Sequence, residues 1–214
     1  LRAAFISMEP HTGAVKAYVG GIDYDHFKYD MVMGGRRQVG STIKPFLYAL
    51  AMQNGMTPCT TAPNIQRSYG NWTPRNGSRA RYGQQVPLRW GLQQSNNWIS
   101  AYLISLLGPS QFVNILHDFG LNNPDIDKNA TPVLCLGPSE LSIGEMCSAY
   151  TTFVNHGVRC APLFVTRIED SHGNIVAKFQ PLMNEVISEE SSFKMLDMLQ
   201  AVIQGGTGGR LRYN

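Results

Sequence analysis

The chain has 214 residues, of which 43% are hydrophobic and 15% are charged. This length and composition suffice for one globular domain with its own core, or for a large and a small subdomain, and they exclude a disordered chain. The 18 basic and 15 acidic residues give a net charge of +3 and form no block of like charge, so nucleic-acid binding is not indicated. No run of about 18 apolar residues predicts a membrane span, and no leader sequence is recognisable.

The first predicted element is a β-hairpin. Ala3–Met8 and Ala14–Gly20 are apolar and rich in β-forming residues, and the sequence between them, with Pro10 and Gly13, is typical of a turn. Because a strand pattern begins almost at the first residue, we expect the chain to be part of a longer protein, with any membrane anchor outside it. Ile22–Val39 is polar, aromatic and interrupted by glycines, and is predicted to be a loop.

An apolar helix is predicted to begin at Ser41 and to end at Asn54-Gly55. Residues i and i+3 share one face of a helix, so the Ser41 hydroxyl and the Lys44 amine should face the same space. A serine becomes a nucleophile only when a base takes its proton, and lysine can be that base if burial or a helix N-terminus lowers its pKa. The alternative is an N-cap serine followed by a surface lysine, which has the same spacing.

A long loop and a junction between two helices follow. The loop, 57–85, carries arginines that either bind an anionic or sugar ligand or are simply solvated: Arg67, Arg75, Arg79 and Arg81. Pro87 opens a short helix, and a second helix runs from Trp98 to Leu107. At the junction between them, the short polar side chains of Ser95, Asn96 and Asn97 can point outward. The alternative is that Ser95 or Asn96 is a plain N-cap.

The rest of the chain is predicted to contain three helices and a second hairpin. The helices are Gln111–Phe119, Glu140–Asn155 with Ser139 as its cap, and Glu189–Gln204. The hairpin pairs Leu163–Glu169 with Asn174–Phe179, and Leu121–Gly137 between the helices is predicted to be a loop. The last helix is predicted to bury its apolar side chains, which are Phe193, Leu196, Leu199, Val202 and Ile203.

Cysteine and histidine patterns indicate no metal site and no Ser-His-Asp triad. Cys59, Cys135, Cys147 and Cys160 lack Cys-x-x-Cys spacing, and the sequence contains no Gly-x-Ser-x-Gly motif. The four cysteines could form disulfides, with three possible pairings if all four join, or remain as buried thiols.

The motifs in this order resemble those of the transpeptidase domain of penicillin-binding proteins, and more specifically of the bifunctional class A enzymes. The resemblance rests on Ser41-Thr42-Ile43-Lys44 inside the phrase Arg37–Phe46, on Ser95-Asn96-Asn97, and on Leu136–Leu141 with Glu145–Tyr150. It covers nearly all of the chain. It implies an α+β fold of three layers (α/β/α), in which helices cover an antiparallel sheet and an all-helical subdomain is added.

The resemblance also implies roles for four residues. Ser41 is expected to be the nucleophile, Lys44 its base, Ser95 a proton relay, and Asn97 a donor to the substrate backbone. The expected substrates are peptidoglycan stem peptides ending in D-Ala-D-Ala, as donor and as amine acceptor, and β-lactams are expected to acylate the same serine. No metal or cofactor is expected. The expected location is the outer face of the cytoplasmic membrane, in the periplasm, with a glycosyltransferase domain and a membrane anchor on the full-length chain.

One family motif is missing. No lysine in the chain is followed by Thr-Gly or Ser-Gly, so we interpret residues 1–214 as a transpeptidase domain truncated before its Lys-Thr-Gly strand. Enzymatic alternatives are a D-Ala-D-Ala carboxypeptidase and a serine β-lactamase, although no carboxylate is evident that would activate water for the latter. A non-catalytic β-lactam sensor or envelope pseudo-enzyme is the alternative from another class.

Overall fold

The computed structural model describes residues 3–213, which contain ten strands and seven α-helices. The strands are β1 (Phe5–Met8), β2 (Val15–Val19), β3 (Arg36–Gln38), β4 (Thr61–Pro63), β5 (Gln85–Pro87), β6 (Glu140–Ser142), β7 (Val158–Cys160), β8 (Arg167–Glu169), β9 (Ile175–Lys178) and β10 (Met183–Glu185). The helices are α1 (Lys44–Gln53), α2 (Leu88–Gln93), α3 (Asn97–Leu107), α4 (Pro109–Asp118), α5 (Pro124–Lys128), α6 (Ile143–Val154) and α7 (Glu189–Gly205). The α+β class predicted from the sequence is confirmed.

All the strand pairs are antiparallel, as predicted, but in residues 3–213 they form five two-stranded sheets rather than one continuous sheet. The pairs are β1 with β2, β3 with β6, β4 with β5, β7 with β10, and β8 with β9. Both predicted hairpins are present, as β1–β2 and β8–β9. The pairs β3–β6 and β7–β10 join segments that are distant in sequence, and no turn motif in the sequence predicted these pairs.

The pairing of β3 with β6 overturns two predictions. The segment Ile22–Val39 is not loop throughout, because Arg36–Gln38 pairs with Glu140–Ser142. The helix predicted from Glu140 therefore begins only at Ile143, since the preceding residues use their backbone groups in the strand ladder. Its cap is Ser142 rather than Ser139, and Glu145 completes a capping box.

Two further predictions were wrong. The predicted loop Leu121–Gly137 contains α5 and a 3-10 helix, Pro132–Leu136, both of which begin with proline in the first turn. Phe193 is 74% exposed rather than buried, because α7 turns its small and sulfur-containing side chains, which include Met195, Met198 and Ala201, toward the core.

Helix α1 lies in the middle of the core. Every residue from Lys44 to Met52 is buried, and α1 contacts α3, α4 and α7. Phe46 packs against the aromatic rings of Phe119, Tyr150 and Phe153. A helix that is covered on all sides is rigid, and it therefore fixes the position of the lysine at its first turn.

The cysteines are free thiols, two of them buried in the core (Cys135 and Cys160). Among residues 3–213, no group of three His, Cys, Asp or Glu side chains is arranged to hold a metal ion. No single helix in the described part of the chain is long and apolar enough to span a membrane, and α3 with α4 meets that criterion only as a pair bent by 96°.

Candidate active site around Ser41

Ser41 lies in a 3-10 helix, Gly40–Ile43, that leads directly into α1. The prediction that the α-helix starts at Ser41 was wrong by three residues. The consequence for the site is small, because side chains at i and i+3 eclipse one another in a 3-10 turn. Ser41 is exposed while Lys44 is only 1% exposed, and both line the same cavity. The cavity measures about 910 Å³.

Segments from the middle of the chain hold the turn around Ser41 in place. The Gly40 N–H donates to the Gly137 carbonyl at 3.0 Å, and the Val39 N–H donates to the Ser139 carbonyl at 3.2 Å. The Tyr150 hydroxyl donates to the Thr42 carbonyl at 2.7 Å. Gly137 has a φ of +69°, and a Cβ atom there would lie 2.2 Å from the Gly40 carbonyl oxygen. The approach of the two backbones therefore requires glycine at position 137.

The Lys44 ammonium reaches the junction between α2 and α3. Its Nζ donates to the Ser95 carbonyl at 2.6 Å, to Ser95 Oγ at 3.0 Å and to Asn97 Oδ1 at 2.6 Å. The structure thus brings Lys44, Ser95 and Asn97 into direct contact, and Ser41 lies on the cavity wall beside Lys44 and Ser95. Among the hydrogen bonds of the described residues, none joins the Ser41 hydroxyl to this group.

Burial lowers the pKa of Lys44 from its ordinary value of 10.5 to about 8. The buried thiol of Cys135 acts on Lys44 in the opposite direction, but burial raises the pKa of that thiol to about 12, so it stays neutral. Among residues 3–213 no ion pair involves Lys44, so no carboxylate stabilises its charged form. A lysine in this state can release its proton close to neutral pH, which a general base must do.

Ser95 and Asn96 form the rigid entry to α3. Ser95 has a φ of +50°, a conformation that non-glycine residues rarely adopt and that is often found at functional sites. The Asn96 side chain accepts from the N–H groups of Trp98 and Ile99, and its own amide donates to the buried Asn64 at 2.9 Å. The N-cap interpretation is therefore correct for Asn96. The side chains of its two neighbours, Ser95 and Asn97, contact Lys44 instead.

A residue that sequence reasoning missed, Asn76, supports Asn97 from the long loop. The Asn97 N–H donates to Asn76 Oδ1 at 2.9 Å, and Asn97 Nδ2 donates to the Arg75 carbonyl at 2.7 Å. A side-chain amide has two N–H donors, so one remains for a ligand. The only local signal was the Asn76-Gly77 pair, which is typical of any turn, and the contact itself spans 21 residues.

The cavity in front of Ser41 is mainly apolar. Its wall includes Leu141, Ile143, Met146, Tyr150, Leu199 and Val202. No Asp or Glu of the described residues lines it, so its electrostatic character comes from Lys44, Arg37 and the hydroxyl groups.

Comparison with known proteins identifies the family. The family model described as the penicillin binding protein transpeptidase domain matches residues 3–213. The chain belongs to this family. The family that the motifs and their flanking phrases resembled in the sequence is therefore confirmed.

The relatives of this penicillin-binding transpeptidase domain include penicillin-binding protein 1A of Aquifex aeolicus, which is 31% identical over 98% of the chain, and penicillin-binding protein 1A of Neisseria lactamica, which is 30% identical over 97%. Among solved structures, penicillin-binding protein 1A of Haemophilus influenzae superimposes with a TM-score of 0.86 and 28% identity. It covers 97% of the chain. The chain spans 29% and 27% of the length of the two curated relatives and 36% of the solved chain.

Proposed function

We propose that the chain is a peptidoglycan D,D-transpeptidase domain, truncated before its Lys-Thr-Gly strand, that forms peptide cross-links through an acyl-enzyme on Ser41. The observation that carries the proposal is the state of Lys44, which is buried, hydrogen-bonded to Ser95 and Asn97, and has its pKa lowered to about 8. A general base requires a pKa lowered toward the working pH, whereas a purely structural lysine does not.

In the first half-reaction, Ser41 Oγ forms an ester bond with the carbonyl carbon of the penultimate D-Ala of a stem peptide. The bond from that carbon to the nitrogen of the terminal D-Ala breaks. Neutral Lys44 accepts the Ser41 proton, and Ser95, hydrogen-bonded to Lys44 at 3.0 Å, relays a proton to the leaving amine. The Ser41 N–H, in the first turn of its 3-10 helix, supplies one donor to the oxyanion.

In the second half-reaction, an amine of a neighbouring stem peptide attacks the ester carbonyl. A new amide bond forms, the ester bond to Ser41 breaks, and the amine proton returns through the same groups to Ser41 Oγ. The remaining N–H of Asn97 holds the substrate backbone during both steps. Free D-Ala and a cross-linked peptide are the products.

The alternatives differ in what accepts the acyl group. Water would accept it in a D-Ala-D-Ala carboxypeptidase or a serine β-lactamase, and the common kind of β-lactamase needs a carboxylate to activate that water. No Asp or Glu of residues 3–213 lines either of the two cavities that Ser41 borders, which favours an amine as acceptor. A non-catalytic β-lactam sensor would keep the acyl group on Ser41.

The wider protein follows from the same proposal. A Lys-Thr-Gly strand after Asn214 completes the site, and a glycosyltransferase domain with a membrane anchor lies on the same full-length chain. The domain then works on peptidoglycan at the outer face of the cytoplasmic membrane and binds β-lactams there. The greater length of the relatives supports further domains on the full-length chain, and their name, penicillin-binding protein 1A, supports the binding of β-lactams.

Labelling of the full-length protein with fluorescent penicillin tests the proposal. We expect Ser41→Ala to abolish labelling, and Ser105→Ala, which removes an exposed hydroxyl on α3, to leave it unchanged. Stem-peptide substrates should then give cross-linked dimer and free D-Ala in Ser41-dependent amounts. Release of D-Ala without cross-linked dimer would indicate a carboxypeptidase. Labelling without either product would indicate a sensor. Labelling that survives Ser41→Ala would overturn the assignment of the nucleophile.

A further inference from the structure

Ser41 borders two cavities of opposite character. Besides the large apolar cavity, a second one of about 340 Å³ is lined by polar side chains that include Asn76, Ser78, Gln94 and Asn97. Ser41, Ser95 and Thr207 line both cavities. An acyl transfer between two peptides needs room for two chains at one serine, and the second cavity, here called the polar pocket, provides it.

The wall of the polar pocket is held in place by contacts with other parts of the structure. The segment 74–83, which contributes Asn76, Gly77, Ser78 and Ala80 to this wall, contacts α3 at four places. Besides the two bonds to Asn97, the Trp98 ring N–H donates to the Pro74 carbonyl at 3.1 Å, and the ring of Tyr82 meets that of Trp98 edge-on at 5.2 Å. At the far end, the Asn64 amide donates to the Ala80 carbonyl at 2.9 Å. A wall held in this way presents a fixed shape to a ligand.

The stretch of chain that supplies most of the polar pocket carries charge of one sign. Although the chain has no contiguous block of like charge, residues 31–117 contain eight Lys or Arg residues and no Asp or Glu. Three of these, Arg75, Arg79 and Arg81, lie in the wall segment and are exposed. Among the ion pairs of residues 3–213, none involves these three arginines.

Two of the arginines flank residues that line the pocket. Arg79 stands between Ser78 and Ala80, and Arg81 follows Ala80 with a left-handed φ of 52°. The Arg81 guanidinium lies 5.4 Å from the centre of the Trp90 ring, and Trp90 itself lines the pocket. Stacking on an aromatic ring orients a guanidinium while leaving its N–H groups available to a carboxylate.

We propose that the polar pocket is a subsite for a carboxylate-bearing segment of the peptide substrate, held by Arg79 and Arg81. The inference rests on the proposed transpeptidase function. Guanidinium groups without acidic partners attract carboxylates and bind them through paired hydrogen bonds, and the neutral amides and hydroxyls of the pocket hold the adjoining peptide backbone. The carboxylate belongs either to the acyl donor or to the amine acceptor, which have the same chemistry at this point.

The test compares kcat/KM of the full-length enzyme for matched substrates with a free or an amidated carboxylate. In the double variant Arg79→Gln/Arg81→Gln, kcat/KM should fall roughly tenfold for the substrate with a free carboxylate and change little for the amidated substrate. The double variant Arg79→Lys/Arg81→Lys should recover part of the loss. Arg67→Gln, which removes a charge from the same loop but not from the pocket wall, should behave like the wild type.

The position of the amide identifies the source of the carboxylate. If amidating the donor peptide abolishes the difference in kcat/KM between the wild type and the Gln variant, the pocket binds the donor. If amidating the acceptor peptide abolishes that difference, the pocket binds the acceptor. An equal loss with free and amidated substrates, or no loss, would overturn the proposal. Acylation of Ser41 by a thioester donor without a carboxylate is measured in parallel, because failure there contradicts the transpeptidase function itself rather than the subsite.

Discussion

Lys44 Nζ lies 2.6 Å from Asn97 Oδ1, although 53 residues separate the two in sequence. The contact joins the first turn of the central helix α1 to the first residue of α3. It places a neutral acceptor where a carboxylate would otherwise stabilise the ammonium, so burial is the main cause of the lowered pKa of the lysine.

The acylation rate of Ser41 should therefore depend on the protonation of Lys44. With a pKa of about 8, the neutral base is in the minority at pH 7, and the rate should rise with pH and level off above about 8. The measurement is the second-order rate constant for labelling by fluorescent penicillin from about pH 6 to about pH 9.5. A rate that is flat across this range would contradict the role of Lys44 as base.

Replacing Asn97 with aspartate should move this pH profile. A carboxylate at the position of Oδ1 favours the charged ammonium and should raise the pKa of Lys44 by about one to three pH units. Acylation near pH 7 should then fall roughly tenfold or more and recover in alkaline solution. Gln94→Glu adds the same charge to the polar pocket at a side chain that donates to the Gly205 carbonyl rather than contacting Lys44, and it should shift the profile less. Equal shifts in the two variants would contradict a direct contact.

The same lysine should leave a signature in stability. Between about pH 8 and its ordinary pKa of 10.5, Lys44 of the unfolded chain holds a proton that the folded protein has released. The contribution of Lys44 to the free energy of unfolding therefore rises with pH across this window. Tyr48 and Cys135 have raised pKa values and oppose this trend in alkaline solution, so the useful quantity is a difference.

That difference is between the wild type and Lys44→Met, measured by urea unfolding at pH 7 and pH 9. Methionine has a similar length and no charge, so the variant should be more stable relative to the wild type at pH 7 than at pH 9. A gap between the two proteins that does not change with pH would show that Lys44 keeps its ordinary pKa.

Gly137→Ala should disturb the catalytic turn. The new Cβ atom would lie 2.2 Å from the Gly40 carbonyl oxygen, so the turn that carries Ser41 must shift, and we expect acylation to fall roughly a hundredfold. The matched control is Gly173→Ala in the hairpin β8–β9, where φ is also positive but no atom lies within 4 Å. It should cost about 1 kcal/mol of stability and leave acylation unchanged. Similar acylation rates in the two variants would contradict the positioning role of Gly137.

Much of the fold was predictable from local patterns. The apolar periodicity that indicated α1, α3, α4 and α7 is present in the structure, because a helix that buries one face must repeat apolar residues at helical spacing. Turn residues in the sequence predicted both hairpins. The motifs Ser41-x-x-Lys44 and Ser95-x-Asn97, with the phrases around them, pointed to the family whose model matches residues 3–213.

Long-range contacts were not predictable. Arg36–Gln38 and Glu140–Ser142 have no strand signal of their own and form strands only because they meet. Phe193 looked like a core residue, but its burial depends on which face of α7 meets α1 and α2, which the sequence of the helix alone does not contain.

By itself, then, the sequence determined the family, the order of the main helices and the identity of the residues around Ser41. Only the tertiary structure decided that Lys44 is buried against Ser95 and Asn97, that Asn76 and Gly137 support the site, and that Ser41 borders a second, polar cavity. The physical reason is that desolvation and close backbone approach are properties of the whole packed molecule, to which segments far apart in sequence contribute.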